Sequence, residues 1–424
     1  MQPVSRRPFG QKYAFVVVAV IFLCLLVAAG VRASPGLLLQ PLHKAFGWGI
    51  DTISLSGSIG ILLYGLVGPF AAALMNRFGI RQVLVIALTL MAGSIGLSLL
   101  MTESWQLIAT WGVLSGLGSG CVAMVLGATI ANRWFKTNRG LIMGLMAASA
   151  ATGTLIFQPG LAKLSEIGGW QLVVAAVAIA CAVLIPLAFF LVPNHPSDIG
   201  QRPYGSDPSA PVEPPQAQTG LIDASLGALV RAARTRTFWY LFATFFICGF
   251  TTNGLVGMHL ISFCGDMGIP EVQAASLMAM MGIFDLFGTT FSGWLTDRYD
   301  PRKLLFVYYG LRGIALIYLP FSGFNIYTLT VFGVFYGLDW IATVPPTVRL
   351  TNEAFGDRDA PVVFGWIAAG HQIGAASAAA LAGYMRVLQG SYVEAFLFSG
   401  LTGIVAALIA LLIVRRRVTA VAAA

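Results

Sequence analysis

Charge is what this sequence lacks. Of 424 residues only 10% are Asp, Glu, Lys or Arg, while 57% are hydrophobic; an ordinary soluble domain carries about 25% charged residues. Folded in water, such a chain would expose one continuous apolar surface, which excludes a soluble enzyme and, despite a formal net charge of +8, a nucleic-acid-binding protein. Cysteine is scarce as well. Cys24, Cys121, Cys181, Cys248 and Cys264 fall in or beside apolar runs without paired spacing, so they suggest neither a metal cluster nor a disulfide framework and read as apolar filler. Enzyme motifs are missing too: no nucleophile elbow, paired-carboxylate motif or metal-ligand cluster lies in a polar segment, and no cofactor is expected. Gly116-Leu117-Gly118-Ser119-Gly120-Cys121 has the look of a nucleotide loop, but no Lys with Ser or Thr follows it and it sits inside an apolar run.

Long apolar runs are what the chain has in abundance. A bilayer core takes about 20 helical residues per crossing, and twelve such runs stand near 13–38, 50–73, 82–100, 105–131, 139–162, 169–192, 237–261, 271–296, 303–320, 325–350, 360–385 and 391–414. Barrel strands are about 10 residues long with strict alternation, whereas Tyr13 to Val31 is continuously apolar, so helices are expected. The opening Ser5-Arg6-Arg7-Pro8-Phe9 resembles a twin-arginine export signal, but such signals carry soluble passengers and further spans follow here, so no cleavage is expected. Gly112, Gly116, Gly118 and Gly120, then Gly140, Gly144 and Gly153, recur at small-residue spacings that let helices approach closely and slide.

Between Pro193 and Arg236 the composition shifts to Pro, Ser, Gln and Asp, which is linker chemistry. Six spans lie on each side. The expected division is a first bundle over 1–192, a linker over 193–236 and a second bundle over 237–424. Leu74-Met75-Asn76-Arg77-Phe78-Gly79-Ile80-Arg81, after the second span, recurs as Leu295-Thr296-Asp297-Arg298-Tyr299-Asp300-Pro301-Arg302 after the eighth, 221 residues later. With both termini cytoplasmic, only Lys44, Lys163 and Arg386 of the 25 basic residues fall outside and only Arg32 and Arg312 within spans. The rest line the inner face, Arg6, Arg7, Arg358 and Arg415 to Arg417 among them, as the positive-inside rule requires. The excess is an address rather than a ligand site. Two six-helix halves related by a parallel repeat are the pattern of a secondary transporter with its site at the midplane.

The repeated loop also carries a resemblance. Gly293-Trp294-Leu295-Thr296-Asp297-Arg298 is similar to the loop motif of the major facilitator superfamily, roughly Gly-x-Leu-x-Asp-Arg-x-Gly-x-Arg, and Ala72 to Arg81 is a weakened copy. The resemblance makes Asn76, Arg77, Arg81, Asp297 and Arg298 gating-loop residues. Asn76 stands where the family has Asp, so a charge-based latch is not carried over to the first half. Arg32-Ala33-Ser34-Pro35-Gly36, Phe46-Gly47-Trp48, Ile53-Ser54-Leu55, Tyr64-Gly65-Leu66-Val67-Gly68-Pro69, Arg133-Trp134-Phe135 with Arg139-Gly140, and Pro196-Ser197-Asp198-Ile199-Gly200 with Pro203-Tyr204-Gly205 together resemble the monocarboxylate transporter family and its bacterial relatives. That resemblance covers nearly the whole chain. It implies an all-α membrane protein with twelve transmembrane helices in two six-helix pseudo-symmetric bundles, the major facilitator fold.

A charge near the middle of a span costs at least about 2.5–3.5 kcal/mol on insertion scales, so each is a functional hypothesis. Arg32, Asp285, Arg312 and Asp339 qualify, and His371 joins them. Arg32 precedes Pro35, which loosens its helix, and offers a planar fork of donors to a carboxylate; snorkelling to the outer headgroups is the alternative. The family has a lysine at this place, linked to substrate and proton handling, so the resemblance implies an anion role for Arg32. Arginine keeps its proton and clamps rather than carries. Asp285 lines up with the family's eighth-helix aspartate, but Thr289 stands where the family has an arginine one turn on. Arg312 is a candidate for that missing cation: at about 1.5 Å per residue it lies roughly 14 Å, and Asp285 roughly 18 Å, from the same side. Bracing of helices is the alternative for Arg312.

Asp339 and His371 form a candidate proton couple, with a structural interhelical hydrogen bond as the alternative. Val344-Pro345-Pro346-Thr347 breaks the tenth helix nearby. Tyr64 matches a family tyrosine and can wall the site. Asn253, 221 residues after Arg32, is its repeat equivalent, and His259 reads as an interface residue. The expected function is proton-coupled symport of a small organic anion, most simply a monocarboxylate, by alternating access in the cytoplasmic membrane of a bacterium. Substrate binding falls to Arg32, Tyr64, Asn253, Asp285 and Arg312, and proton coupling to Asp285, Asp339 and His371. The partners are the anion, the proton and the lipid bilayer, with no nucleic acid and a monomeric state. Entry of an anion against an inside-negative potential costs about 2.3 kcal/mol per charge per 100 mV, which one proton cancels. An organic-anion exchanger, an exporter of amphipathic molecules that tolerates Arg32→Gln, and a transporter-like sensor without flux are the alternatives.

Overall fold

The computed structural model describes residues 12–206 and 221–414. Arg6, Arg7 and Arg415 to Arg417, invoked for orientation, and the Pro-rich residues 208–215 lie outside these. Ten described stretches are long and apolar enough to cross a membrane by length and composition. One of them is two helices. Within Leu141–Leu191, Gly168 and Gly169 leave helical geometry, Gly169 at φ +67°, a backbone state open to glycine. Val344–Gln389 breaks in the same way at Gly356, where φ is +73°.

Taking each side of a break separately gives twelve helices of spanning length. They are α1 (Tyr13–Phe46), α2 (Ile50–Phe78), α3 (Ile80–Leu97), α4 (Ser104–Trp134), α5 (139–167), α6 (170–191), α7 (Arg236–Asp266), α8 (Glu271–Thr296), α9 (Pro301–Tyr318), α10 (Ile326–Gly356), α11 (357–389) and α12 (Val393–Leu411). A linker helix, Leu221–Ala233, precedes α7. The expected all-α membrane fold is the one observed. Three spans are internally irregular. A π-helical turn occupies Ile108–Leu114 in α4 and another Phe250–Val256 in α7, and α10 opens into a turn between Asp339 and Val344. π-bulges of this kind recur at functional sites.

We call the face where α1 starts and α6 ends the linker side, and the opposite face the far side. Large apolar side chains such as Ile86, Leu100, Phe190 and Phe335 stay exposed, as a bilayer-facing surface demands. Inside, small residues set the helix spacing. Gly112, Gly116 and Gly120 of α4 press on Ser56, Gly60 and Val67 of α2, Gly118 on Met91 of α3, and Gly153 of α5 on Leu26 and Ala29 of α1. Gly144 departs from the expected packing stripe, because nothing stands near it. In the second half Gly374 of α11 meets the Phe246 backbone of α7, and Gly288 of α8 meets the Leu338 carbonyl of α10.

The first six helices touch the last six toward the far side. Gly36 of α1 abuts the backbone of Gly257 and Met258 in α7. Ser58 of α2 donates to the Ala376 carbonyl of α11 at 2.6 Å, and Ser165 of α5 meets the Glu271 carboxylate of α8 at 3.5 Å. Gly65 of α2 rests on Gln372 of α11 near mid-depth.

Candidate functional site

Arg32 sits half-buried on α1, three residues before Pro35, and its guanidinium carbon lies 4.7 Å from the centroid of the Tyr64 ring on α2. Among the described residues it makes no ion pair. It lines a cavity walled by Val31 and Pro35 of α1, Gly57 and Ile61 of α2, and Trp111 and Ser115 of α4, with Met258 reaching in from α7. The cation therefore faces an internal space rather than lipid. Gly60 and Gly116, in backbone contact, bring α2 and α4 together at its floor. Ser115 is buried and makes no hydrogen bond among the described residues, which leaves its hydroxyl for whatever enters. Tyr64 stands where sequence expects it, beside Arg32. Asn253 does not join them: it lies half-buried in the π-helical turn of α7, and the α7 residue in the cavity wall is Met258, more than a turn farther on.

The second cluster is buried among α7, α8, α9 and α10. Arg312 is 1% exposed and donates from Nε to Asp339 Oδ2 at 2.6 Å, from Nη1 to Cys248 Sγ at 3.0 Å, and from Nη2 to the Asp339 and Trp340 carbonyls. The suggested pairing of Arg312 with Asp285 is thus corrected to Arg312 with Asp339. The turn in α10 is the reason, since it frees two carbonyls that the guanidinium fork satisfies together with the carboxylate. The same turn frees the Ile341 N–H, which donates to Asp285 Oδ1 at 2.9 Å, as does the Thr289 hydroxyl. Thr289, in the position of the family's arginine, thus supplies a neutral donor instead. The Asp339–His371 couple is corrected as well. Asp339 is taken by Arg312, while His371 packs 5.0 Å from the Phe245 ring and lies beside Cys248. Asp339 Oδ1 is left buried without a hydrogen-bond partner. His259, fully buried, bridges the Ala379 carbonyl at 2.8 Å and the Tyr392 hydroxyl at 3.2 Å, an interface between α7, α11 and α12.

On the linker side each repeated loop is tied within its own half. Asn76 Oδ1 accepts from Arg133, and Arg81 donates to Asn194 Oδ1 at 2.9 Å and to the Val192 carbonyl at 3.0 Å. Arg77 lies over the Phe78 ring. His195 adjoins this knot, and burial together with the Arg133 guanidinium holds its pKa below the usual imidazole range. In the second loop Arg298 covers the Trp294 ring at 4.0 Å and donates to the Trp294 carbonyl, Asp297 is exposed, and Arg349 donates to the Thr296 carbonyl.

Twelve described helices in two sets of six, with a cation that makes no ion pair among the described residues lining a cavity of the first set that Met258 of the second enters, have the make-up of a membrane carrier. The Major Facilitator Superfamily profile matches residues 21–342 and again 265–423, and the chain belongs to that family. It is a multi-pass secondary transporter of a small molecule, not an enzyme. The chain is 26% identical over 324 residues to an uncharacterized MFS-type transporter, YcxA, of Bacillus subtilis (strain 168), covering 74% of each. It is 27% identical over 407 residues to monocarboxylate transporter 13 of Rattus norvegicus, covering 93% of this chain and 87% of the relative, and 27% identical to monocarboxylate transporter 4 of Mus musculus, covering 76% and 67%. Among solved structures it superposes on a D-xylose-proton symporter with a TM-score of 0.72 at 14% identity, covering 94% of this chain and 97% of that one. A bacterial homologue of the human lysosomal transporter Spinster, inward-facing and occupied, gives 0.71 at 16%, covering 95% and 97%.

Reading the sequence alone missed Trp111, Ser115, Met258 and Cys248. The glycine spacing of α4 did mark the helix that supplies Trp111 and Ser115. Nothing in the local pattern marks Cys248, whose contact with Arg312 joins two helices far apart in sequence.

Proposed function

We propose that the protein carries a small organic anion, most simply a monocarboxylate, together with a proton, by alternating access of a first bundle (1–192) and a second (237–424) about the linker (193–236). The observation that carries the reading is Arg32, a cation with no ion pair among the described residues, in a largely apolar cavity among α1, α2 and α4 that Met258 of α7 enters. There its fork can take a carboxylate that water no longer competes for. Tyr64 orients the guanidinium from the side, and Asn253 completes the α7 wall once the halves part. The Arg312–Asp339 pair, with Asp285 and His371 around it, is the coupling element: taking up a proton on either carboxylate changes which acceptors hold Arg312 and so the packing of α7 against α10. The basic residues of the linker side put that side in the cytoplasm of a bacterium, and the carrier works as a monomer.

A second reading, anion exchange, rests on Asp339 being already held by Arg312, because an exchanger uses a fixed cation and no titrating carboxylate. Purified protein in vesicles separates the two. Symport gives uptake of labelled short-chain acids that rises with an imposed inward proton gradient, whereas exchange gives uptake that ignores the gradient and needs a counter-anion inside. Arg32→Ala lowers uptake at least about 30-fold, the equivalent of about 2 kcal/mol for a desolvated charge partner, with protein yield unchanged. Undiminished uptake places the site elsewhere.

A further inference from the structure

Among the described residues of the last six helices, Met258 is the one that reaches into the Arg32 cavity. Its backbone is pinned: a Cβ on Gly36 of α1 would lie 2.8 Å from the Gly257 carbonyl oxygen and 2.9 Å from that of Met258, so α1 and α7 cross here in backbone contact. From that crossing the thioether extends to α2, where a Cβ on Gly57 would lie 2.5 Å from the Met258 methyl, 3.0 Å from its sulfur and 3.4 Å from the Pro35 Cβ. The side chain is 3% exposed. Pro35 and Gly57 both stand on the far-side end of the cavity, each a turn or so beyond Arg32 and Gly60 along their helices.

We propose that the Met258 side chain, seated on Gly57, is the stop that limits the length of the acid's apolar tail. The inference rests on the reading that Arg32 binds the carboxylate. With the carboxylate fixed at one end, the rest of the cargo lies against Ile61, Trp111, Pro35 and Met258, and among the described second-half residues Met258 closes the far-side end. Methionine suits the place because it fills irregular space and has no polar group to satisfy. A pocket distinguishes one methylene by about 10–200-fold at most, so moving the stop is read directly in chain-length preference.

The test is uptake of labelled straight-chain acids of three to six carbons by purified protein in vesicles, with Met258→Ala and, as a size-conserving control, Met258→Leu. Met258→Ala raises the ratio of six-carbon to three-carbon uptake by at least about tenfold, while Met258→Leu keeps the wild-type order. An unchanged ratio in an active Met258→Ala protein overturns the stop. So does a matching change in Met258→Leu, which would trace the effect to the helix crossing and not to the reach of the side chain. If Met258→Ala yields no folded protein, Met258→Val, which shortens the side chain while keeping it apolar, raises the same ratio or refutes the assignment. Wild-type protein that takes up none of these acids, or an Arg32→Ala protein that takes them up normally, overturns the carboxylate reading instead.

Discussion

At the scale of single residues the described intramembrane charges are a cation without an ion pair, Arg32, a closed pair, Arg312 with Asp339, and a carboxylate held by neutral donors, Asp285. Arg32 has an aromatic neighbour and a cavity, whereas Arg312 has acceptors on every available nitrogen. Removing one member of a buried pair leaves the other uncompensated, at a cost of about 3–5 kcal/mol, while replacing both by apolar groups is often neutral or better. Arg312→Met alone is therefore expected to lower the thermal unfolding temperature in detergent sharply, and Arg312→Met with Asp339→Leu to recover it, both read by calorimetry. Recovery of folding without recovery of gradient-driven uptake assigns the pair to coupling. Arg32 was legible in the sequence because a charge in an apolar run is rare enough to stand out. The partner of Arg312 was not, because depth along a span leaves several carboxylates within reach and only the α10 turn decides among them.

At the scale of elements, spacing within the bundle is set by glycines that meet backbone. A Cβ on Gly288 would fall 1.9 Å from the Leu338 carbonyl oxygen, next to Asp339. Gly288→Val is expected to push α8 from α10 and destabilise by about 1–3 kcal/mol, as overpacking does, while Gly144→Ala, with open space around it, leaves the unfolding temperature unchanged. Helix positions came through from hydropathy alone, since a bilayer selects length and composition. The π-helical turns and the Val122–Ala123 break in α4 did not, because a widened turn is stabilised by neighbours that hydropathy along one span does not contain.

At the scale of the whole molecule, the contacts between the first and last six helices described here lie from mid-depth to the far side: Gly65 on Gln372, Gly36 on Met258, Ser58 to Ala376 and Ser165 to Glu271. An alternating-access carrier must break these to open toward the far side. Replacing Ser165 and Glu271 together by cysteine and oxidising the pair is expected to abolish uptake in vesicles, with a reductant restoring it. Full activity in the oxidised, cross-linked protein would show that α5 and α8 need not separate. The repeat at 221 residues made the six-and-six arrangement legible before any coordinates. Which side is shut was not legible, because one sequence serves every state of the cycle.

The linker is fastened at both ends. Tyr204 pairs its backbone with Trp134 and Lys136, and Arg231 holds Asp359 at the start of α11. Each set of six helices thus carries its own strap from the linker. Each end of the linker therefore travels with the six helices that hold it, and a movement of one set is felt first at its own strap.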